Sequence, residues 1–228
     1  MIVPCIDLQK GFAVQLVRGR RRALSVEDVL GLVDRFRHYG ALHVIDLDAA
    51  MRRGSNARLV RAVCRRASQL GVRVRVGGGI RTQRQAARII CWGAEKVIIG
   101  SAAFRRARVN HAVLRRMAAR LGRRRLMIAL DAERGFIVVR GWRQRLHLRP
   151  EEVMPELARY CSEFLCTCVD REGQLRGTNL SWFRGLHRAT QLPVTAAGGI
   201  RSRREVRALE RLGMNAAVGM ALYRGKLR

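Results

Sequence analysis

The sequence predicts an α/β fold, a single (β/α)8 barrel with residues 1–228 as one domain. Three observations carry that expectation: β-rich runs alternate with helix-length amphipathic segments from end to end, the length of 228 residues suits one barrel, and the two halves repeat each other. Eight apolar runs read as strands, at 2–7, 41–46, 73–76, 96–99, 126–130, 163–169, 193–196 and 216–218. Between them, segments such as 26–38, 56–70, 83–92 and 203–212 place apolar residues three to four apart, the spacing of a helix with one buried face. No Pro/Ser-rich linker interrupts the series.

The repeat has three matches in the same order. Gly78-Gly79-Ile80-Arg81-Thr82 recurs 120 residues later as Gly198-Gly199-Ile200-Arg201-Ser202, and Gly93 recurs as Gly213. Asp7-x-x-Lys10-Gly11-Phe12 recurs as Asp131-x-x-Arg134-Gly135-Phe136, and Arg53-Gly54-Ser55-Asn56 as Arg176-Gly177-Thr178-Asn179. A doubled half-barrel follows, with strands 1 and 5 facing each other across the axis, and strands 3 and 7 likewise.

Composition bounds the function. Hydrophobic residues make up 48% of the chain, yet no uninterrupted apolar stretch reaches the roughly 18 residues of a membrane helix. Met1 to Asp7 runs straight into an apolar segment without a basic leader, so a cytosolic protein with no membrane partner is expected. The six cysteines lack paired CxxC spacing or neighbouring histidines and read as reduced small hydrophobes; no metal site is expected, even at Cys166-Thr167-Cys168. The net charge of +29 raises nucleic-acid binding as an alternative. Only Lys10, Lys96 and Lys226 are lysines, and the arginines fall along nearly every helix, so affinity for polyanions is expected to be incidental and confined to low salt.

Barrel active sites lie at the carboxyl ends of the strands. Asp7 closes the first predicted strand and Asp131 the fifth. One such aspartate could simply cap a loop, but two at repeat-related positions point to facing carboxylates whose pKa values differ, one acid and one base. Gly77-Gly78-Gly79 and Gly100-Ser101 follow strands 3 and 4; Gly198-Gly199 and Gly219-Met220 follow strands 7 and 8. Glycine turns let backbone N–H groups approach an anion, and two such pairs on opposite sides of one mouth imply a small-molecule substrate with two phosphates. Arg81, which follows the first of these turns, and Gly177, in the loop after strand 6, are further candidate phosphate contacts. The five histidines fall on helices, a strand start or a loop flank, and none is expected to be catalytic.

Over nearly its full length the chain resembles the phosphoribosylformimino-5-aminoimidazole carboxamide ribotide isomerases of histidine biosynthesis. The resemblance is carried by Pro4-Cys5-Ile6-Asp7-Leu8, Val44-Ile45-Asp46-Leu47-Asp48, Gly77-Gly78-Gly79-Ile80-Arg81, Val97-Ile98-Ile99-Gly100-Ser101-Ala102, Gly141-Trp142 and Leu222-Tyr223-Arg224-Gly225-Lys226. A sister family, the cyclase subunit of imidazole glycerol phosphate synthase, shares the doubled barrel, but the Gly141-Trp142 loop and the Tyr223-x-Gly225-Lys226 ending favour the isomerase. The resemblance implies an Amadori rearrangement of an aminoaldose to an aminoketose without a cofactor, in a protein expected to be a monomer. By residue it implies Asp7 as base, Asp131 in support, Thr167 as a hydroxyl near substrate and Trp142 stacked on the aminoimidazole from an exposed, mobile loop. The alternative for Trp142 is a core tryptophan. The family's acid is an aspartate before glycine in the loop after strand 6; here the pair is Glu172-Gly173, so Glu172 is the acid candidate and Asp170 the fallback. Arg18 and Gln15 stand transposed relative to the family, and Met220 replaces its usual arginine. Some relatives also accept phosphoribosylanthranilate, and Arg140 keeps a dual isomerase as an alternative; the net charge keeps a basic noncatalytic, nucleic-acid-binding barrel as another.

Overall fold

Side-chain alternation along eight short runs decides the architecture, because each run must bury both faces, one inside a barrel and one under helices. In the computed structural model, which describes residues 1–17, 19 and 21–227, the strands are β1 (Ile2–Gln9), β2 (Ala41–Asp46), β3 (Arg73–Gly77), β4 (Lys96–Ile99), β5 (Leu126–Glu133), β6 (Glu163–Cys168), β7 (Val194–Ala197) and β8 (Asn215–Val218). Each pairs in parallel with the next, and β8 pairs with β1, which closes the (β/α)8 barrel. The outer helices are α1 (Val29–Phe36), α2 (Ala57–Gln69), α3 (Gln83–Cys91), α4 (His111–Leu121), α5 (Pro150–Leu157), α6 (Leu180–Arg188), α7 (Arg203–Glu210) and α8 (Met220–Tyr223). No helix among the described residues is long and apolar enough to cross a membrane.

Three boundaries depart from expectation for physical reasons. The helix expected from residue 26 begins at Val29, because Arg21–Val26 is a strand and the Asp28 carboxylate caps the helix by accepting from Gly31 N–H at 2.7 Å. Asp7 and Asp131 do not close their strands. β1 runs on to Gln9 and turns back as strand Phe12–Val17, and β5 runs on to Glu133 and turns back as Phe136–Val139. Both hairpins turn on a two-residue loop with positive φ throughout, Lys10 (52°) and Gly11 (82°) in one, Arg134 (51°) and Gly135 (80°) in the other. The repeated basic-Gly-Phe triplet is the sequence trace of these paired hairpins.

The 120-residue repeat is equally physical. Thr82 and Gln85 form a capping box at the start of α3, and Ser202 and Glu205 form its counterpart at the start of α7. In each, the acid or amide also holds the preceding arginine's N–H, Arg81 on Gln85 at 2.9 Å and Arg201 on Glu205 at 2.8 Å.

Inside the barrel the residues form layers. The middle layer is apolar, with Ile98, Met127, Leu165 and Ala217 packed against Cys5, Ile45, Ala129 and Ala197. Beneath it lies a polar layer in which Glu163 accepts from Arg75 at 2.9 Å, Lys96 at 2.8 Å and Thr195 at 2.7 Å, so every acceptor of a buried carboxylate is engaged. His43, read from sequence as lying near a strand start, is fully buried in this layer beside Arg75; withdrawal from water and the Arg75 charge push its pKa down to about 3, so it stays neutral.

Candidate active site

Residues that alternate inward along the strands surface again at the carboxyl ends, where a cavity of about 240 Å³ opens. Asp7, Asp131, Thr167, Trp142 and Glu172 all line it. Asp131 and Thr167 are register partners on β5 and β6, which sets their side chains side by side, and the Thr167 hydroxyl hydrogen-bonds the Asp131 carboxyl. Asp7 enters from β1 on the opposite half.

Glu172 reaches the cavity because of the glycine that follows it. Gly173 has φ of 69°, and a Cβ there would strike the Leu16 carbonyl and fall 2.9 Å from Val17 Cα. The loop after β6 therefore packs directly on the β1 hairpin, and Glu172 N–H closes a turn onto Val169 O at 3.1 Å. Asp170 has a different task. Its carboxylate accepts from Arg134 N–H at 2.7 Å in the β5 hairpin turn, as its repeat-mate Asp48 accepts from Lys10 N–H at 2.6 Å, and it does not line the cavity. Among the two acid candidates in this loop, only Glu172 lines the cavity.

Three carboxyl groups in one half-dry cavity cannot all ionise cheaply. Withdrawal from water, with Asp131 nearby, raises Asp7 to about 7. Glu172 is raised to about 8 by withdrawal from water and then by Asp7 and Asp131, with the Gly173 N–H opposing. Asp131 is also raised by burial, but hydrogen bonds from Thr167 and Trp142 favour its charged form. Near neutral pH the site thus holds a protonated Glu172 beside an Asp7 close to half ionised.

Trp142 is neither a core tryptophan nor a free exposed side chain. It is partly buried, its indole Nε1 donates to Asp131 Oδ2 at 2.9 Å, and a Cβ on Gly19 would fall 2.6 Å from its ring. The indole therefore spans the cavity from the β5 loop to the β1 loop. Arg140, two residues earlier, donates its N–H to Ser101 Oγ at 2.8 Å and docks the same loop on the turn after β4.

The two glycine-rich sides differ. Gly78, Gly79, Gly100 and Ser101 line the cavity, and a side chain at Gly78 would strike the Asp46 backbone while one at Gly79 would fall 2.6 Å from Ala49 O. Arg81 also lines it, but its guanidinium donates to the carbonyls of Ala49 (3.2 Å), Ala50 (3.1 Å) and Gly79 (3.1 Å), bracing the turn. On the other side only Gly219 lines the cavity. Gly198 packs on the Cys168 backbone, Gly199 and Gly177 pack on each other through Gly177 N–H to Gly199 O at 3.1 Å, and Met220 is buried. Gln15, which the sequence reading set aside as a transposed residue, also lines the cavity; it is 3% exposed, its Nε2 has no hydrogen-bond partner, and it abuts Gly219. A lone amide in the apolar run Phe12-Ala13-Val14-Gln15-Leu16-Val17 was the available signal. Arg18 lies outside the described residues. Among the described residues no group of three His, Cys, Asp or Glu side chains is arranged to hold a metal ion.

Comparison with known proteins bears on this geometry. The family model described as "Histidine biosynthesis protein" matches residues 1–228. A protein of Thermomicrobium roseum is 37% identical across 100% of this chain and 94% of its own length. One of Methanothermobacter thermautotrophicus is 33% identical, and one of Myxococcus xanthus 34% identical, each across 99% of this chain and 94% of the relative. All three are named 1-(5-phosphoribosyl)-5-((5-phosphoribosylamino)methylideneamino)imidazole-4-carboxamide isomerase.

Proposed function

This chain belongs to the histidine biosynthesis protein family, and from that footing we propose that it is the isomerase that converts the aminoaldose named in its relatives to the corresponding aminoketose by an Amadori rearrangement. Glu172, the carboxyl that holds its proton to higher pH, protonates the ribose ring oxygen; the C1–O bond breaks as the nitrogen lone pair forms the C=N bond of a Schiff base. Asp7, the carboxyl that loses its proton first, then takes the proton from C2, and the electron pair left behind forms the enolamine, which tautomerises to the ketone. The product is an isomer of the substrate, so atoms and electrons balance without an external oxidant. Asp131, whose charged form Thr167 continues to favour once substrate is bound, is suited to hold the cationic nitrogen of the opened ring.

The substrate carries a phosphate at each end. The turn residues Gly78, Gly79, Gly100 and Ser101 support one phosphate subsite. Gly219, with the buried Gln15 amide beside it and Gly177, Gly198, Gly199 and Met220 behind, supports the other. Arg81 then serves the first subsite by holding its turn in shape. Trp142 must leave Asp131 to admit the substrate, after which its ring is free to stack on the aminoimidazole.

The observation that carries this reading is that Asp7, Asp131 and Glu172 converge on one cavity at the barrel mouth, where burial raises all three carboxyls. Turnover of the aminoaldose by Asp7→Asn and Glu172→Gln, each expected to fall by at least about 100-fold, tests it; wild-type turnover by either variant removes that residue from the chemistry.

A further inference from the structure

The proposed reaction leaves one large feature unused, the distribution of charge. Residues 52–125 contain 20 arginines and one lysine against a single carboxylate, Glu95, whereas residues 126–175 contain seven arginines and eight carboxylates. Arginines do lie along nearly every helix, but the carboxylates that would offset them are unevenly placed. The excess is concentrated in residues 52–125, which hold α2, β3, α3, β4 and α4, and the one carboxylate in that stretch is taken up by Arg73 at 3.7 Å and Arg75 at 3.5 Å.

The outer surface of that sector is α2, α3 and α4. Arg58, Arg61 and Arg65 are exposed along α2, Arg84 and Arg88 along α3, and Arg116 on α4. Arginines three and four apart on a helix repel each other, and a face meant only to stay solvated would intersperse carboxylates, as residues 126–175 do. Between α2 and α3 runs a groove lined by Arg61, Arg65, Gln69 and Trp92, and the Arg88 guanidinium lies 5.5 Å from the Trp92 ring centroid. Guanidinium groups match phosphate oxygens, and the Arg88 guanidinium stacked over the partly exposed Trp92 indole makes a flat cationic platform against which a base can lie.

We propose that the α2–α4 face is a binding site for single-stranded nucleic acid, separate from the barrel mouth. Phosphates along the strand pair with the arginine rows, and an unpaired base lies against Trp92 in the groove. A duplex cannot offer that base, so single strands bind in preference. With about six phosphates contacted, the logarithm of the binding constant falls with that of salt at a slope near −4, roughly a 300-fold loss from 50 to 200 mM.

Fluorescence anisotropy with labelled oligo(U) and oligo(dT) of about 20 nucleotides, and with a duplex of equal length, tests this on the full chain. The variant Arg61→Glu/Arg65→Glu/Arg88→Glu is compared with Arg184→Glu/Arg188→Glu/Arg207→Glu on α6 and α7, which changes net charge equally. The α2–α3 variant is expected to lose at least tenfold more affinity than the α6–α7 variant, with isomerase turnover intact in both as the check on folding. Trp92→Leu is expected to lower single-strand affinity several-fold and leave the duplex unchanged. Binding of either oligonucleotide through the α2–α3 arginines bears the proposal out, and the two arms tell ribose from deoxyribose. Equal losses in the two triple variants, or a duplex bound as tightly as the single strand, would overturn it.

Discussion

Replacing Asp7 by asparagine keeps the shape of the side chain and removes a carboxyl that the fold holds neutral against its ordinary tendency. Its pKa rises from 3.8 to about 7 in the native cavity. Between those values the folded chain binds a proton that the unfolded chain has lost, so native stability falls as pH rises from about 4 to about 7 and is flat beyond. Each unit is worth about 1.36 kcal/mol, so ionised Asp7 costs at most about 4 kcal/mol, less whatever water in the cavity screens. Asp7→Asn is therefore expected to match wild type near pH 4 and to melt about 5–15 °C higher at pH 8, since about 1 kcal/mol moves a domain of this size by 2–4 °C. Removing that charge also removes the carboxylate that does most to raise Glu172, which should then lose its proton at lower pH. Melting temperatures by circular dichroism from pH 4 to 9 decide the matter. A difference between the two proteins that does not grow with pH would refute the claim that Asp7 is held protonated.

Other outcomes follow from the same geometry. Gly78→Ala places a side chain against the Asp46 backbone at φ of 97° and is expected to lower stability by more than about 2 kcal/mol in denaturant titration. Glu163→Gln leaves Arg75 and Lys96 without their shared carboxylate inside the barrel and should cost about 3–5 kcal/mol by the same measurement. Asp170→Asn loosens a hairpin turn outside the cavity, so its kcat should stay within a few-fold of wild type while Glu172→Gln loses most activity. Trp142→Phe removes the indole donor from Asp131 and should raise KM more than it lowers kcat.

Much of the barrel was legible because its signals are local. The strand at Ala41–Asp46 and the one at Lys96–Ile99 have the predicted limits, since an apolar run ending at a polar or glycine residue marks both. The repeat also gave the correct pairing of Asp7 with Asp131. Most of what escaped was decided by contacts between distant segments. The hairpins after β1 and β5 escaped for a local reason: they extend both strands past the aspartates through turns in which Lys10 and Arg134, residues that do not favour it, take positive φ together with Gly11 and Gly135. The buried layer of Arg75, Lys96 and Glu163 spans 88 residues of sequence and gives no local sign. Asp170 and Glu172 could not be ranked from spacing, because what separates them is a hydrogen bond to Arg134 on one side and the packing of Gly173 on Leu16 on the other.

The proton inventory at the barrel mouth is the claim on which the account rests, and the pH dependence of kcat/KM for the aminoaldose measures it most directly. Asp7 must be ionised and Glu172 protonated, so the profile should rise through pH about 7 and fall through about 8, and the residual activity of Glu172→Gln should lack the alkaline limb. A profile flat from pH 6 to 9, or an alkaline limb that survives in Glu172→Gln, would contradict the assignment of base and acid.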